Sequence, residues 1–240
     1  MMENQFIEEQ NRMLSKIQLE NRVDIGQLQY IAGVDLAYWK ETKEESHQNG
    51  LSSEEVEYAV CCIVVLDYHT KEMVEKKYCK GQIVVPYIPG CLAFREIELV
   101  LETVKLLEHT IDLYVFDGNG YLHPRHMGLA THAGIMLDRP SIGVAKSYFK
   151  IENIVYTEPD NEAFSYSDLM IGDKVYGRVL RTHKNVKPIF LSIGHQIDLN
   201  TATEIVKNLV EKDSHIPIPT RYADLMTHEM RRQYQKCEAP

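Results

Sequence analysis

The stretch Leu113-Tyr114-Val115-Phe116-Asp117-Gly118-Asn119-Gly120-Tyr121-Leu122-His123-Pro124-Arg125 decides how the rest of the chain is read. An apolar run ends on a carboxylate, passes two glycines and enters a His-Pro-Arg. A buried strand therefore delivers Asp117 to its exposed end. Gly118 and Gly120 let something flat or phosphorylated approach the backbone closely. His123 adds a proton-handling group, and Arg125 a fork suited to phosphate. Asp-Gly is also a common hairpin pair, but no alternating strand returns here. The spacing predicts a helix over residues 124–137 instead, and then a short strand over 140–145.

Working outward, residues 29–38 read as a strand with one carboxylate, Asp35, inside an apolar run. Residues 58–68 form a strong β run, and 73–85 a third strand broken near Gly81. Pro86-Tyr87-Ile88-Pro89-Gly90 brackets an exposed aromatic between two prolines. Helical spacing follows over 92–108. Late strands are expected at 176–181 and 189–193, and helices at 201–210 and 223–235. Residues 151–170 look irregular. Residues 41–57 are polar and acidic, a variable loop inside one unit. Residues 1–25 carry an amphipathic helix whose buried face is Phe6, Ile7, Met13, Leu14 and Ile17. Three leading strands followed by alternating helix and strand describe one α/β domain over 1–240, a mixed sheet covered by helices.

Composition fits a folded enzyme or binding protein. Hydrophobic residues make up 44% and charged ones 25% of 240, enough for a sizeable core. No apolar run reaches the length of a membrane span, and the acidic N-terminus is unlike a signal peptide. The five cysteines lack C-x-x-C spacing, so buried thiols in a reducing, cytoplasmic setting are expected. The net charge of −9 argues mildly against a polyanionic partner. It is unevenly spread, however: residues 121–150 hold Arg125, Arg139, Lys146 and Lys150 against Asp138 alone. A locally positive middle matters more for steering a polyanion than the global balance.

Asp35, Glu96, Asp117 and Asp224 are the acids most out of keeping with their surroundings. A carboxylate inside a strand core needs a partner or a cation. Taken alone, Asp224, which begins the last helix, reads better as an acid favoured by the helix dipole. Three or four carboxylates without thiols make a hard, oxygen-rich site suited to Mg2+ or Mn2+, of the kind that acts on phosphates. Lys146, just beyond an apolar strand, is placed either to orient the attacking water or simply to sit exposed at a strand end.

The segments VDLAY (34–38), PYIPGCLAFRE (86–96), FDGNGYLHPRHMGLATHAGIMLDRPSIGVAKS (116–147) and PTRYADLMTHEMRR (219–232) resemble those of the endonuclease V family, inosine-directed nucleases. The resemblance runs from about residue 29 to 232. It implies an RNase H-like fold, a mixed five-stranded sheet flanked by helices. It also implies a deoxyribonuclease V activity in DNA repair. Such an enzyme hydrolyses the second phosphodiester bond 3′ to a deoxyinosine with Mg2+, for which Mn2+ substitutes, and leaves 3′-hydroxyl and 5′-phosphate ends. By the same resemblance Asp35, Glu96 and Asp117 match the metal-binding carboxylates and Lys146 the active-site lysine. Asp224 matches a position held by aspartate or histidine. Pro86, Tyr87, Ile88 and Pro89 match a wedge that holds the duplex open. Gly90, Leu92, Gly118, Gly120, His123 and Gly128 match the pocket for the extruded base.

These roles make physical sense. Hypoxanthine is unreachable inside a duplex until it is flipped out, and a proline-stiffened aromatic fills the gap by stacking. A tight, backbone-lined pocket excludes the exocyclic amine by which guanine differs. The chain departs from many relatives at His126, where a second arginine is common, and in the length and acidity of loop 41–57; the Phe149 side of the pocket also varies. Inosine-containing DNA is the expected partner, with RNA as an alternative substrate, for a monomer with no membrane association. A non-catalytic inosine-binding protein is the competing class, and retention of the carboxylates with Lys146 speaks against it.

Overall fold

The computed structural model describes residues 2–47 and 50–237. The chain opens with helix α1 (Met2–Met13) and then forms strands β1 (Tyr30–His47), β2 (Gly50–Asp67) and β3 (Met73–Gln82). Helix α2 (Leu92–Val104), strand β4 (Leu113–Asp117), helix α3 (Leu129–Leu137) and strand β5 (Ser141–Ala145) follow. Strands β6 (Tyr166–Ile171), β7 (Lys174–Leu180) and β8 (Ile189–His195) then lead into helices α4 (Leu199–Leu209) and α5 (Ile218–Cys237). No helix among the described residues is long and apolar enough to cross a membrane.

The strands form one sheet in the order β3-β2-β1-β4-β5-β8-β7-β6. Among the described strands only β1–β4 and β4–β5 pair in parallel. The first five positions match the expected mixed sheet, and the count of five is corrected to eight. The difference arises because β8 pairs with β5 and presents a free edge, onto which the β7–β6 hairpin adds.

Strand periodicity sorts the core into two layers. On β2, Ala59, Cys61, Ile63 and Val65 face the layer built on α2 and α3. Val60, Cys62, Val64 and Leu66 face α5, with Ile218, Ala223, Met226 and Met230. Farther along the sheet, Leu113, Val115, Ile142 and Val144 pack on α4 through Ala202, Ile205, Val206 and Leu209. Each strand of the centre is buried on both faces, which is why these runs read as continuously apolar.

Three further expectations change. Residues 41–57 belong to a long β1–β2 hairpin, with Lys43 opposite Glu54 and Glu41 opposite Val56; positions 48 and 49 of that segment lie outside the described residues. A ribbon that is polar on both faces carries no apolar alternation to reveal it. Gly81 does not break β3 but pairs with Ala59. Helix α3 starts at Leu129 rather than near Pro124. The intervening loop is held by Gly128 N–H to Gly120 O (3.1 Å) and Ala130 N–H to Asn119 O (3.1 Å), with His126 at φ +54°. At the N-terminus Met13 is buried and Phe6 and Ile7 half-buried, yet the most deeply buried side chain of α1 is the polar Gln10.

Candidate active site

Parallel pairing of β1 with β4 aligns Val34 with Phe116, so the next residues, Asp35 and Asp117, emerge side by side where β4 ends and its pairing with β1 stops. Side-chain alternation puts both on the α5 face, because Val34 and Phe116 point into the opposite layer. On β5, Val144 pairs with Asp117, and Lys146 lies two residues further on the same face. The fourth group, Asp224, comes from α5. Gly33 lets that helix in: a Cβ there would stand 2.1 Å from the Pro219 carbonyl carbon, so any side chain would push α5 away. The sequence expectation that Asp224 begins the last helix is corrected, since α5 starts at Ile218 and Asp224 lies in its second turn. The dipole reading of this acid loses its basis.

Asp35, Asp117 and Asp224 each offer a carboxylate oxygen, and these atoms lie within 4.8 Å of one another. Lys146 Nζ is 2.6 Å from Asp117 Oδ2 and 3.1 Å from Asp224 Oδ1. Thr227 Oγ1 is 2.9 Å from Asp35 Oδ2. Burial, then the charges of Asp117 and Asp224, push the Asp35 carboxyl up to about 7, against the bond from Thr227 and the charge of Lys146. Burial works against the Lys146 ammonium, yet its bonds to Asp117 and Asp224 hold it above its ordinary value. Three acids thus face one lysine, and the site is short of positive charge. Cys62 pairs with Asp35 across β1–β2, but burial and the Asp35 carboxylate push its thiol up to about 12, so it offers no thiolate. The donor set is oxygen only, and it fits a hard divalent cation.

Glu96 stands apart from this group. It projects from α2 into the opposite layer, buried, and accepts a hydrogen bond from the Tyr38 hydroxyl. Its carboxyl is pushed up to about 7, first by burial, with Asp35 and Asp117 adding to the effect. The structure therefore gathers three of the expected acids and leaves Glu96 behind them, within reach of their field. Arg95 braces this arrangement, with its guanidinium 4.6 Å from the Tyr38 ring centre and 2.5 Å from Glu57.

Beside the carboxylates is a small cavity of about 70 Å3, lined by Tyr87, Gly90, Leu92, Ala93, Asn119, His123, Met127, Gly128, Leu129 and Phe149. Asn119 lies two residues beyond Asp117, so one loop serves both places. Tyr87 is 64% exposed, and Pro86 and Pro89 are exposed beside it. Ile88 is half-buried. Gly90 adopts a left-handed φ of +76°, which favours glycine. Gly128 has no room for a Cβ, which would meet the Asn119 carbonyl at 2.3 Å.

Two expected pocket residues do not line the cavity. Gly120 packs against β8, where a Cβ would meet the Ile193 carbonyl oxygen at 2.2 Å. Gly118 sits behind Leu129. His123 and Arg125 also act differently from the sequence expectation. Burial, then the Arg125 charge, lowers His123 to about 4, so it is neutral near pH 7. Its Nδ1 faces the N–H groups of Arg125 (3.2 Å) and Met127 (3.4 Å), which leaves Nε2–H to donate to Gly90 O at 3.1 Å. Arg125 spends its fork on Gly90 O (2.8 Å) and Gln10 Oε1 (2.5 Å) rather than presenting it to a phosphate.

Sequence reasoning missed Gln10, Tyr38 and Thr227. Thr227 sits within the 219–232 segment and Tyr38 ends the 34–38 segment, so both could have been singled out as polar groups on otherwise apolar faces. Gln10 carries no such signal.

The Endonuclease V family model matches residues 11–225. An endonuclease V of Bacillus thuringiensis subsp. konkukian is 53% identical over 229 residues, covering 95% of this chain and 92% of its own. The crystal structure of a Bacillus subtilis endonuclease V superposes with a TM-score of 0.89 at 44% identity, over 98% of this chain and 94% of that one. An endonuclease V of Ciona intestinalis, solved in complex with a 24mer DNA containing an inosine followed by a ribo-adenosine, has a TM-score of 0.83 at 27% identity. It covers 97% of this chain and 99% of its own.

Proposed function

The chain belongs to the endonuclease V family, nucleases acting on phosphodiester bonds, and we propose that it cuts DNA at deoxyinosine, hydrolysing the second phosphodiester bond on the 3′ side. The observation that carries this reading is the Asp35–Asp117–Asp224 cluster with Lys146, one loop away from a cavity behind an exposed, proline-flanked tyrosine. Asp35, Asp117 and Asp224 would hold Mg2+, or Mn2+ in its place, with Glu96 as the acid behind them. When bound, the divalent ion supplies Lewis acidity and lowers the pKa of water.

The protein's own groups do the rest. Thr227 fixes the Asp35 carboxylate by its hydroxyl. Lys146 keeps a full positive charge beside Asp117 and Asp224, where a phosphate must also sit, and so offsets the charge that develops on the cleaved group. Tyr87 stacks where the base has left the helix. The extruded base enters between Gly90, Leu92, His123 and Gly128, where glycine backbone and a neutral imidazole leave a narrow slot. Such a slot has no room for the exocyclic amine of guanine. Hydrolysis by a water attacking phosphorus leaves 3′-hydroxyl and 5′-phosphate ends.

End-labelled duplexes that differ only in inosine or adenosine at one position, as DNA and as RNA, test the reading. Cleavage mapped to the nucleotide in Mg2+ should be far faster on the inosine strand than on the adenosine strand, fall at the bond immediately 3′ of the inosine's 3′ neighbour, and stop in chelator. Equal cutting of both duplexes, or full activity in chelator, overturns it. Cutting of the RNA duplex in preference to DNA would assign the chain to inosine in RNA.

A further inference from the structure

Gln10 has no exposed surface, and none of the roles assigned above accounts for it. Its Nε2 lies 2.9 Å from the Gly90 carbonyl and 3.3 Å from the Met127 carbonyl, and its Oε1 accepts from Arg125 Nε. Gly90 and Met127 belong to opposite connections of the chain: the segment before α2 and the loop before α3. Both line the cavity. The amide is thus a tie across two walls of that cavity, made from a helix that contributes no lining residue of its own. Helix α1 is held there by Phe6, stacked on Phe94 of α2 with ring centres 4.2 Å apart. Phe94 in turn meets His132 of α3 edge-on at 5.0 Å.

The Gly90 carbonyl receives three donors: Gln10 Nε2, Arg125 Nη2 and His123 Nε2. Its two lone pairs are saturated, so it has nothing left for a ligand. The bonds instead fix the orientation of a peptide whose left-handed glycine would otherwise turn freely. We propose that Gln10 is a positioning residue for the cavity, setting the spacing of the Gly90 and Met127 walls and hence the fit of the extruded base. This rests on the reading of the cavity as the inosine pocket. An alternative, that Gln10 only anchors α1 to the body of the protein, makes different predictions.

Two full-length variants separate them. Gln10→Met keeps the volume and loses every hydrogen bond; Gln10→Glu keeps the acceptor for Arg125 but turns an oxygen toward both carbonyls. Steady-state cleavage of inosine-containing and matched adenosine-containing DNA duplexes is measured in Mg2+, with thermal melting as the check on folding. If Gln10 sets the slot, both variants raise KM for the inosine duplex about tenfold, and the change in kcat stays within about twofold, since the carboxylate cluster is untouched. The inosine-over-adenosine preference falls with the rise in KM. If Gln10 is an anchor, the melting temperature and kcat fall while KM and the preference hold, or Gln10→Glu recovers the wild-type values through Arg125. Either result overturns the proposal. A wild-type protein with no preference for inosine would instead overturn the reading of the pocket itself.

Discussion

Asp35→Asn should make the metal-free protein more stable at alkaline pH and abolish its catalysis. In the folded state the Asp35 carboxyl is pushed from 3.8 up to about 7 by burial and by Asp117 and Asp224. The native state therefore binds a proton that the unfolded chain releases, and stability falls as pH rises from about 4 to about 7, then levels off. At 1.36 kcal/mol per pKa unit, holding Asp35 ionised above pH 7 costs roughly 4 kcal/mol, and roughly half of that once water and the surrounding groups have relaxed. Asparagine removes the charge and keeps an oxygen for the Thr227 hydroxyl. For a chain of this size the gain corresponds to a melting temperature higher by roughly 4–8 °C at pH 8. Thermal melts in chelator between pH 4.5 and 8.5 would show the two proteins diverging as pH rises. Mg2+ should raise the melting point of the wild type at pH 8 more than at pH 6, where protons compete, and leave the variant almost unmoved. A variant no more stable than wild type at pH 8 without metal would refute the charge-crowding account, as would a gain equal at pH 5 and pH 8.

Three further outcomes follow from the same geometry. Tyr87→Ala should cost roughly 1–3 kcal/mol in cleavage of double-stranded inosine substrates and much less on single strands; equal losses on both would make Tyr87 loop filler. Lys146→Ala should slow single-turnover cleavage by about a hundredfold or more without weakening duplex binding to the same degree, since its charge lies against Asp117 and Asp224 rather than at the cavity. Thr227→Val, at a fully buried position, should lose roughly 1 kcal/mol of stability and raise the Mg2+ concentration needed for half-maximal cleavage; an unchanged metal requirement would mean the hydroxyl does not orient Asp35.

Much of the fold and part of the site are readable in the residues themselves. The apolar runs ending at Asp117 and before Lys146 are strands buried on both faces. A carboxylate or ammonium at the end of such a run has to meet a counter-charge, a cation or water, which marks the place as a site. Asp35 stands out for the same reason. Segments escape notice where the deciding interactions lie between distant residues. Strand β6 has a half-exposed, irregular pattern and exists because β7 offers it an edge. The polar hairpin arms persist through backbone pairing and cross-strand charges such as Lys40 with Glu55. The assignment of Arg125 to a phosphate fails because its true partners, Gly90 and Gln10, are 35 and 115 residues away. Glu96 is unusual as a sequence position, but nothing in its neighbours shows that Tyr38, 58 residues away, holds it on the far side of the sheet.

The tie between Thr227 and Asp35 joins residues 192 positions apart. Contacts of such span form late, because closing a long loop carries an entropic cost that only the finished core offsets. Asp35, Asp117 and Lys146 come from β1, β4 and the residues just after β5, whereas Asp224 and Thr227 arrive only with α5. A chain without a docked α5 thus lacks the complete set of groups for cutting a nucleic acid, and competence to cut becomes a report that this helix has reached its place.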